Sequence, residues 1–283
     1  MKIGLLVFLL LTATHVAPPP AQPSLRPGML LALFAFQTEP SKEVRAKLFQ
    51  QVLAEDAELR DCLKDQEGGA RAAEEGMTVE EHDLNRDGVK EYEVQLSGMC
   101  SCGAHNCNIY LYRRVGQRFE SILESASGLG IEFLRTSSNG YTDLQINAHN
   151  NAATESRTVY KFDGKQYREA RTTIVELETG ESKPAFRRVQ FQRGASATTV
   201  QGKASIALPD TYLVGARAGQ VMTVQLASQR KSVRFLVMSP KSTSLIADNA
   251  RSWTGRLPET GDYHIIVEAD ERGGTYSMTI SIK

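Results

Sequence analysis

The sequence predicts an α+β N-terminal domain, a helix packed on an antiparallel meander, followed by an all-β sandwich. Three observations carry that reading. Apolar residues recur at helical spacing near residue 50, the pattern then switches to alternation, and after residue 195 only the alternating pattern remains. A chain of 283 residues is long enough for two ordinary domains, each with its own core. The expected divisions are a signal segment at 1–21, a linker or apolar segment at 22–40, the α+β domain at 41–193 and the sandwich at 194–283.

The elements follow in order. Lys2 and the apolar stretch Gly4 to Leu11 have the form of a secretory signal, with cleavage near Ala17 or Ala21 around Pro18, Pro19 and Pro20. A second apolar run, Met29 to Phe36, is too short to span roughly 30 Å of hydrocarbon. It reads as a buried strand or helix, with an uncleaved anchor built from both runs as the alternative. Ser41 can cap a helix whose apolar face holds Val44, Leu48, Val52, Leu59 and Leu63, with a break near Asp56. Gln66 to Gly76 is polar and leads into the sheet. Strands are expected at 77–82, 91–96, 108–113, 119–123, 131–135, 143–148, 157–162 and 166–171, in one meander. Asn139-Gly140 and Asp163-Gly164 form two of the turns. A hairpin turning at Glu178 to Glu181 closes the domain, and Gly194 to Ala197 marks the boundary. Seven strands follow at 198–208, 210–216, 221–226, 233–238, 252–257, 263–269 and 275–282, a spacing suited to a sandwich.

Charge excludes one class of partner. Lys and Arg number 33, as do Asp and Glu, so the chain lacks the basic excess that phosphate backbones require. After residue 195 there are 10 basic and 7 acidic residues, a balance of +3, whereas residues 38–195 hold 21 and 26, a balance of −5. This mild opposition fits two domains and selects no ligand.

Two groups of residues are candidate sites. Asp83, Asn85, Asp87 and Glu91 place oxygen ligands at alternating positions around Gly88, either wrapping a hard cation such as Ca²⁺ or closing an Asx-stabilised hairpin turn. Val94 stands where an EF-hand needs its twelfth-position Glu. The cysteines are Cys62, Cys100, Cys102 and Cys107, an even count that reads as two disulfides in an exported protein. Cys100 and Cys102 share a strand face and Gly103 to Asn106 can turn the chain back. That favours Cys102 with Cys107, and by elimination Cys62 with Cys100. The rival reading makes Cys100, Cys102, His105 and Cys107 a zinc site, at spacings narrower than zinc prefers. No nucleophile elbow, zincin, dinucleotide or phosphate-loop motif is present. His82, His149 and His264 read as surface or turn histidines.

Two resemblances add to this. Ala216-Arg217-Ala218-Gly219-Gln220 before an alternating strand, Trp253 to Pro258, and Thr260-Gly261-Asp262-Tyr263 resemble the bacterial pre-peptidase C-terminal sandwich and the related inhibitors of g-type lysozyme. The hairpin that is long and arginine-rich in those inhibitors is here the short acidic segment Glu268 to Gly274 with only Arg272, so strong inhibition is not expected of this surface. Trp253 is expected to be buried by its strand. Asp83 to Gly88 with Glu91-Tyr92, Cys102 to Cys107 and Thr136 to Asp143 resemble a recurrent exported bacterial domain with an integrin-like Asp-x-Asn-x-Asp-Gly loop. That resemblance implies a fold and an exported setting, and no chemistry. The expected function is a non-catalytic binding or accessory protein of the bacterial envelope, periplasmic or secreted and not an integral membrane protein. Its sandwich would bind an envelope protein or glycan, and calcium is the one candidate cofactor. A lysozyme-inhibitor-like protein and a secreted hydrolase are the alternatives.

Overall fold

Ser41 caps helix α1 (Lys42–Glu55), its hydroxyl accepting the Val44 amide. The computed structural model describes residues 40–241 and 244–283. The signal segment, its cleavage sites and the Met29 to Phe36 run lie outside the described residues. Leu48, Phe49 and Val52 form the buried stripe of α1. Asp56 then takes an extended conformation that ends α1, and its carboxylate accepts the Leu59 amide at 2.8 Å to start α2 (Ala57–Lys64). The break falls where the sequence places it. The polar stretch from Gln66 hides a third helix, α3 (Gly69–Glu75), that the sequence reading does not contain. Its alanines favour a helix but form no apolar stripe that periodicity would register. Gly69 is required there, because a Cβ would run into the Leu63 carbonyl.

The expected single meander is two sheets. The first has β1 (Thr78–His82), β2 (Glu91–Gln95), β3 (Cys107–Val115) and β4 (Arg118–Gly128) in that order. The second has β5 (Ile131–Ser138), β6 (Tyr141–His149), β7 (Thr154–Phe162), β8 (Tyr167–Glu176) and β9 (Ser182–Pro184), again in order. The crossing is made at Gly128–Leu129–Gly130. A Cβ on Gly128 would meet Ile146 and the Asn147 carbonyl, and Gly130 has φ 142°. Alternation shows that a strand exists but not which sheet it joins, so this crossing is invisible to it.

The first sheet is buried on both faces. On one, Tyr92, Val94, Tyr110 and Tyr112 pack against Leu48, Phe49, Val52 and Leu59 of the helices. On the other, Ile109, Leu111, Ile122 and Leu123 pack against Leu144, Ile146, Phe162 and Tyr167 of the second sheet. The layers are thus helices, sheet and sheet.

The rest of the chain is β. Strands β10 (Arg187–Arg188), β11 (Ala197–Ala204), β12 (Asp210–Ala216), β13 (Val221–Ala227), β14 (Arg234–Met238), β15 (Leu245–Ala250), β16 (Ser252–Arg256), β17 (Gly261–Glu268) and β18 (Gly274–Ile282) form two sheets, ordered β10-β12-β17-β14-β15 and β11-β18-β13-β16. One apolar core lies between them, with Val214, Phe235, Val237, Tyr263 and Ile265 from one sheet and Met222, Val224, Met278 and Ile280 from the other. From Ala197 on, eight strands, β11 to β18, stand among the described residues where seven are expected. The missed one, β15, buries only Ala247 and pairs with β14 through bulges, so it carries no alternation to read.

The Gly-Asp-Tyr opening has a structural cause. Tyr263 is fully buried, and its hydroxyl donates to the Glu259 carbonyl at 2.8 Å while accepting the Glu259 amide at 3.0 Å. Gly261 packs against Pro240 where a Cβ would collide. Trp253 departs from expectation: it is half-buried at the core edge, its ring filling the space beside Gly255.

Strands β9 and β10 tie the two parts of the chain together. Arg187 and Arg188 of β10 pair in parallel with Tyr212 and Leu213 of β12. Asp210 is 2% exposed and receives Lys183 at 3.1 Å, Arg187 at 2.7 Å and the Tyr276 hydroxyl at 2.5 Å. Lys183, from β9, also donates to the Lys203 and Leu208 carbonyls.

Candidate functional site

Both disulfides brace the region around the helix–sheet seam. Cys62 is joined to Cys100 and Cys102 to Cys107, the pairing read from the sequence. No cysteine is free, which removes the thiolate zinc site: Cys100, Cys102 and Cys107 have no thiolate to offer beside His105. Asn106 holds the small loop to the end of β6 by a reciprocal pair, donating to the His149 carbonyl at 2.8 Å and accepting its amide at 2.9 Å. The rings of His105 and His149 consequently lie 5.4 Å apart.

The Cys62–Cys100 bond forms one wall of a cleft of about 870 Å³ at the α1–α2 break. Glu55, Asp56 and Glu58 line its helical side, and Asn108, Tyr110 and Ser121 its sheet side. Asp56 is placed by its capping role, and its second oxygen accepts the Tyr110 hydroxyl at 2.7 Å. Glu55 accepts Tyr112 at 3.0 Å, whose phenol is pushed above its ordinary range by burial and by the Glu55 charge. Met99, 81% exposed, stands at the rim. Among the described residues no lysine or arginine pairs with Glu55, Asp56 or Glu58. The cleft is therefore a rigid, net negative concavity with an apolar thioether at its mouth. Sequence reading used Asp56 only as a helix break. An acidic run at a helix junction is ordinary in a sequence, and only the fold sets it against β3.

The Asp83 to Glu91 segment is a tight turn in which each side chain has a local role. Asp83 accepts the Gly88 amide, Asn85 that of Asp87, Asp87 that of Val89 and Glu91 that of Leu84. Asn85 also donates to Asp87. Arg86 and Gly88 have φ 60° and 84°, which fold the loop tightly. One oxygen, Asp83 Oδ1, is buried without a partner among the described residues. Glu91 is 2% exposed, and burial together with Asp87 and Asp83 raises its carboxyl above the ordinary range. His264 is exposed on β17, as expected.

Among the described residues, fold and site together define a mainly antiparallel β protein with three short helices, a disulfide-braced seam and an acidic cleft. No family model matches the chain, and no match is found among curated proteins. Solved structures similar to it include an Aeromonas hydrophila periplasmic inhibitor of g-type lysozyme, at 30% identity and TM-score 0.31 over 34% of this chain and 94% of that one. The Salmonella Typhimurium inhibitor of g-type lysozyme follows at 22% identity and TM-score 0.29, over 34% and 96%. The pre-peptidase C-terminal domain of a Bacillus anthracis collagenase matches at 17% identity and TM-score 0.24, over 30% and 88%. Each covers about a third of this chain. Among the described residues no helix is long and apolar enough to cross a membrane.

Proposed function

We propose that this chain is an exported, non-catalytic binding protein of the bacterial envelope, and that its acidic cleft receives a basic segment of a partner protein. The observation that carries the reading is the set of carboxylates from Glu55, Asp56 and Glu58 in a concavity of about 870 Å³, with no lysine or arginine among the described residues paired to them. A disulfide and two tyrosine–carboxylate bonds hold its walls, so little ordering entropy is lost on binding. Two disulfides suit an oxidising compartment, in line with the secretory form of the first residues. The sequence alone points to the sandwich as the binding surface and leaves protein and glycan open. The aromatic residue in the cleft wall, Tyr110, is buried, which leaves no ring for a sugar face and favours protein. The test is capture from envelope extract on immobilised protein, with bound species identified by mass spectrometry. A variant carrying Glu55→Gln, Glu58→Gln and Met99→Ala should lose a basic partner that the parent retains. Equal capture by both would move binding elsewhere, the sandwich first.

A second reading, an inhibitor of a g-type lysozyme, is favoured by the Gly261-Asp262-Tyr263 corner and its buried hydroxyl pair. The β17–β18 hairpin spans only Ala269 to Gly273, with acidic Asp270 and Glu271 and a single arginine, Arg272, that lies 3.5 Å from Asp270, in place of a set of arginine anchors. Nanomolar inhibition in a cell-wall lysis assay would raise this reading above the first.

A further inference from the structure

The β1–β2 register brings together a group that neither the cleft nor the Asp83 loop uses. Glu80 and His82 lie two residues apart on β1 and so share a face, and Glu93 of β2 stands directly opposite Glu80. His82 Nε2 lies 3.2 Å from Glu93 Oε2 and 3.8 Å from Glu80 Oε2, and ligand atoms of the three residues all fall within 4.8 Å of one another. We infer that Glu80, His82 and Glu93 form a binding site for a divalent transition-metal ion of the zinc class.

Four arguments support it. With metal–ligand bonds of about 2.1 Å, the edge of a tetrahedral site is about 3.4 Å, and the two imidazole–carboxylate distances of 3.2 and 3.8 Å bracket that value. Like charges directly opposed across strands are destabilising. Glu80 and Glu93 are so placed, and among the described residues His82 is the one basic group within pairing distance of either. Arg113, opposite Glu91 two residues along β2, is bound to Glu120 at 2.9 Å. The side chains of Glu93 and His82 are only 10% and 16% exposed, so both are fixed, whereas Glu80 at 67% is free to swing onto an ion. The Phe133 ring, its centroid 4.4 Å from that of His82, walls one side of the imidazole. An imidazole with two carboxylates suits zinc, cobalt or manganese, whereas calcium and magnesium take oxygen alone. Three protein ligands leave a position for water or a ligand group.

The experiment uses the full-length mature protein, stripped by chelator and titrated with Zn²⁺ by calorimetry and with Co²⁺ by visible absorption. One ion per chain and the intense visible bands of four-coordinate Co²⁺ are expected. His82→Asn should abolish those bands and weaken Zn²⁺ binding by more than the factor of about 10 that loss of a supporting group costs. Glu80→Gln, at an exposed position, should do the same without threatening the fold. The paired variant His105→Asn, His149→Asn serves as control and should change neither readout. The inference is overturned if the unaltered protein gives no stoichiometric binding, if the His82 and Glu80 variants bind as the parent does, or if the His105/His149 variant is the one that loses the ion.

Discussion

The N-terminal region buries Glu91, Glu93, Asp143 and Glu155 and carries both disulfides, whereas the sandwich closes around one apolar cluster and contains no cysteine. The difference follows from the layers. A sheet covered on both faces divides its apolar residues between two thinner cores, and polar side chains of its inner strand β2, Glu91 and Glu93, are buried along with them. Such a region gains from covalent bracing, and its trapped polar groups are where sites can form. The sandwich puts both inner faces into one core and leaves little inside to do chemistry. Its buried charged exception among the described residues is Asp210, whose two cationic partners, Lys183 and Arg187, lie before the Gly194 boundary.

That exception gives the largest expected effect. Removing one partner from a buried ion cluster leaves an uncompensated charge and costs about 3 to 5 kcal/mol. A fragment starting at Gly194 keeps Asp210 and Tyr276 but discards Lys183 and Arg187. Urea unfolding should show it less stable than a fragment starting at Ser182, and Asp210→Asn should narrow the gap. Equal stabilities would mean that the sandwich is self-sufficient and that the β9–β10 tie is incidental.

The disulfides come next. Opening the 38-residue separation of Cys62 and Cys100 removes about 2 to 4 kcal/mol in the usual range for such bonds. Reduction should lower the melting transition of the α+β region and leave that of the sandwich in place. Two transitions falling together would show that the regions unfold as one unit and would break the comparison. Peptide mapping without reduction should find no alkylatable thiol.

Most strands of both regions were legible in the sequence because one inner face makes alternation visible, as in Val221 to Ala227, where Met222, Val224 and Leu226 point inward. The helix break was legible because Asp56 is a capping residue at a break in spacing. Strand β2 lies under two layers and buries Glu91 through Val94 in succession, so sequence fixes its place but not what covers it. The disulfides were legible from local spacing and parity. The cleft and the Glu80–His82–Glu93 group were not, since both depend on register: nothing local says that Glu93 faces Glu80, or that Tyr110 meets Asp56 from 54 residues away.

Alkali offers a further contrast. Burial raises Tyr160 to about 12 and pushes Tyr112 and Tyr167 higher still, with Tyr92 also raised, while in the sandwich Tyr212 and Tyr276 are raised. A phenol whose folded pKa exceeds its unfolded value keeps its proton longer in the native state. The unfolded chain gives up protons first, so stability is intact below pH 10 and falls as pH climbs toward 12 and beyond. With more such phenols, the α+β region should unfold at lower pH than the sandwich. Far-UV dichroism combined with tyrosinate absorbance resolves the order, and Tyr112→Phe should shift the first step upward. Simultaneous loss would contradict the separate cores.

The smallest expected effect concerns the Asp83 to Glu91 loop, for which calcium remains a proposal beside the hairpin turn. An ion that binds only the folded state stabilises it by RT ln(1 + [L]/Kd), about 0.4 kcal/mol when its concentration equals Kd and about 1.4 kcal/mol at ten times Kd. Asn85, Asp87 and Glu91 already accept amides of their own loop, and an ion would have to compete with those bonds. Asp83 Oδ1, buried and without a partner among the described residues, is the one oxygen placed to gain from it. The expected outcome is therefore no shift in melting temperature when millimolar Ca²⁺ is added to metal-stripped protein, which leaves the turn as the reading. A rise that vanishes in Asp83→Asn would assign the ion to this loop, and would place a second metal on the same side of the molecule's division, in the region whose layers trap polar groups.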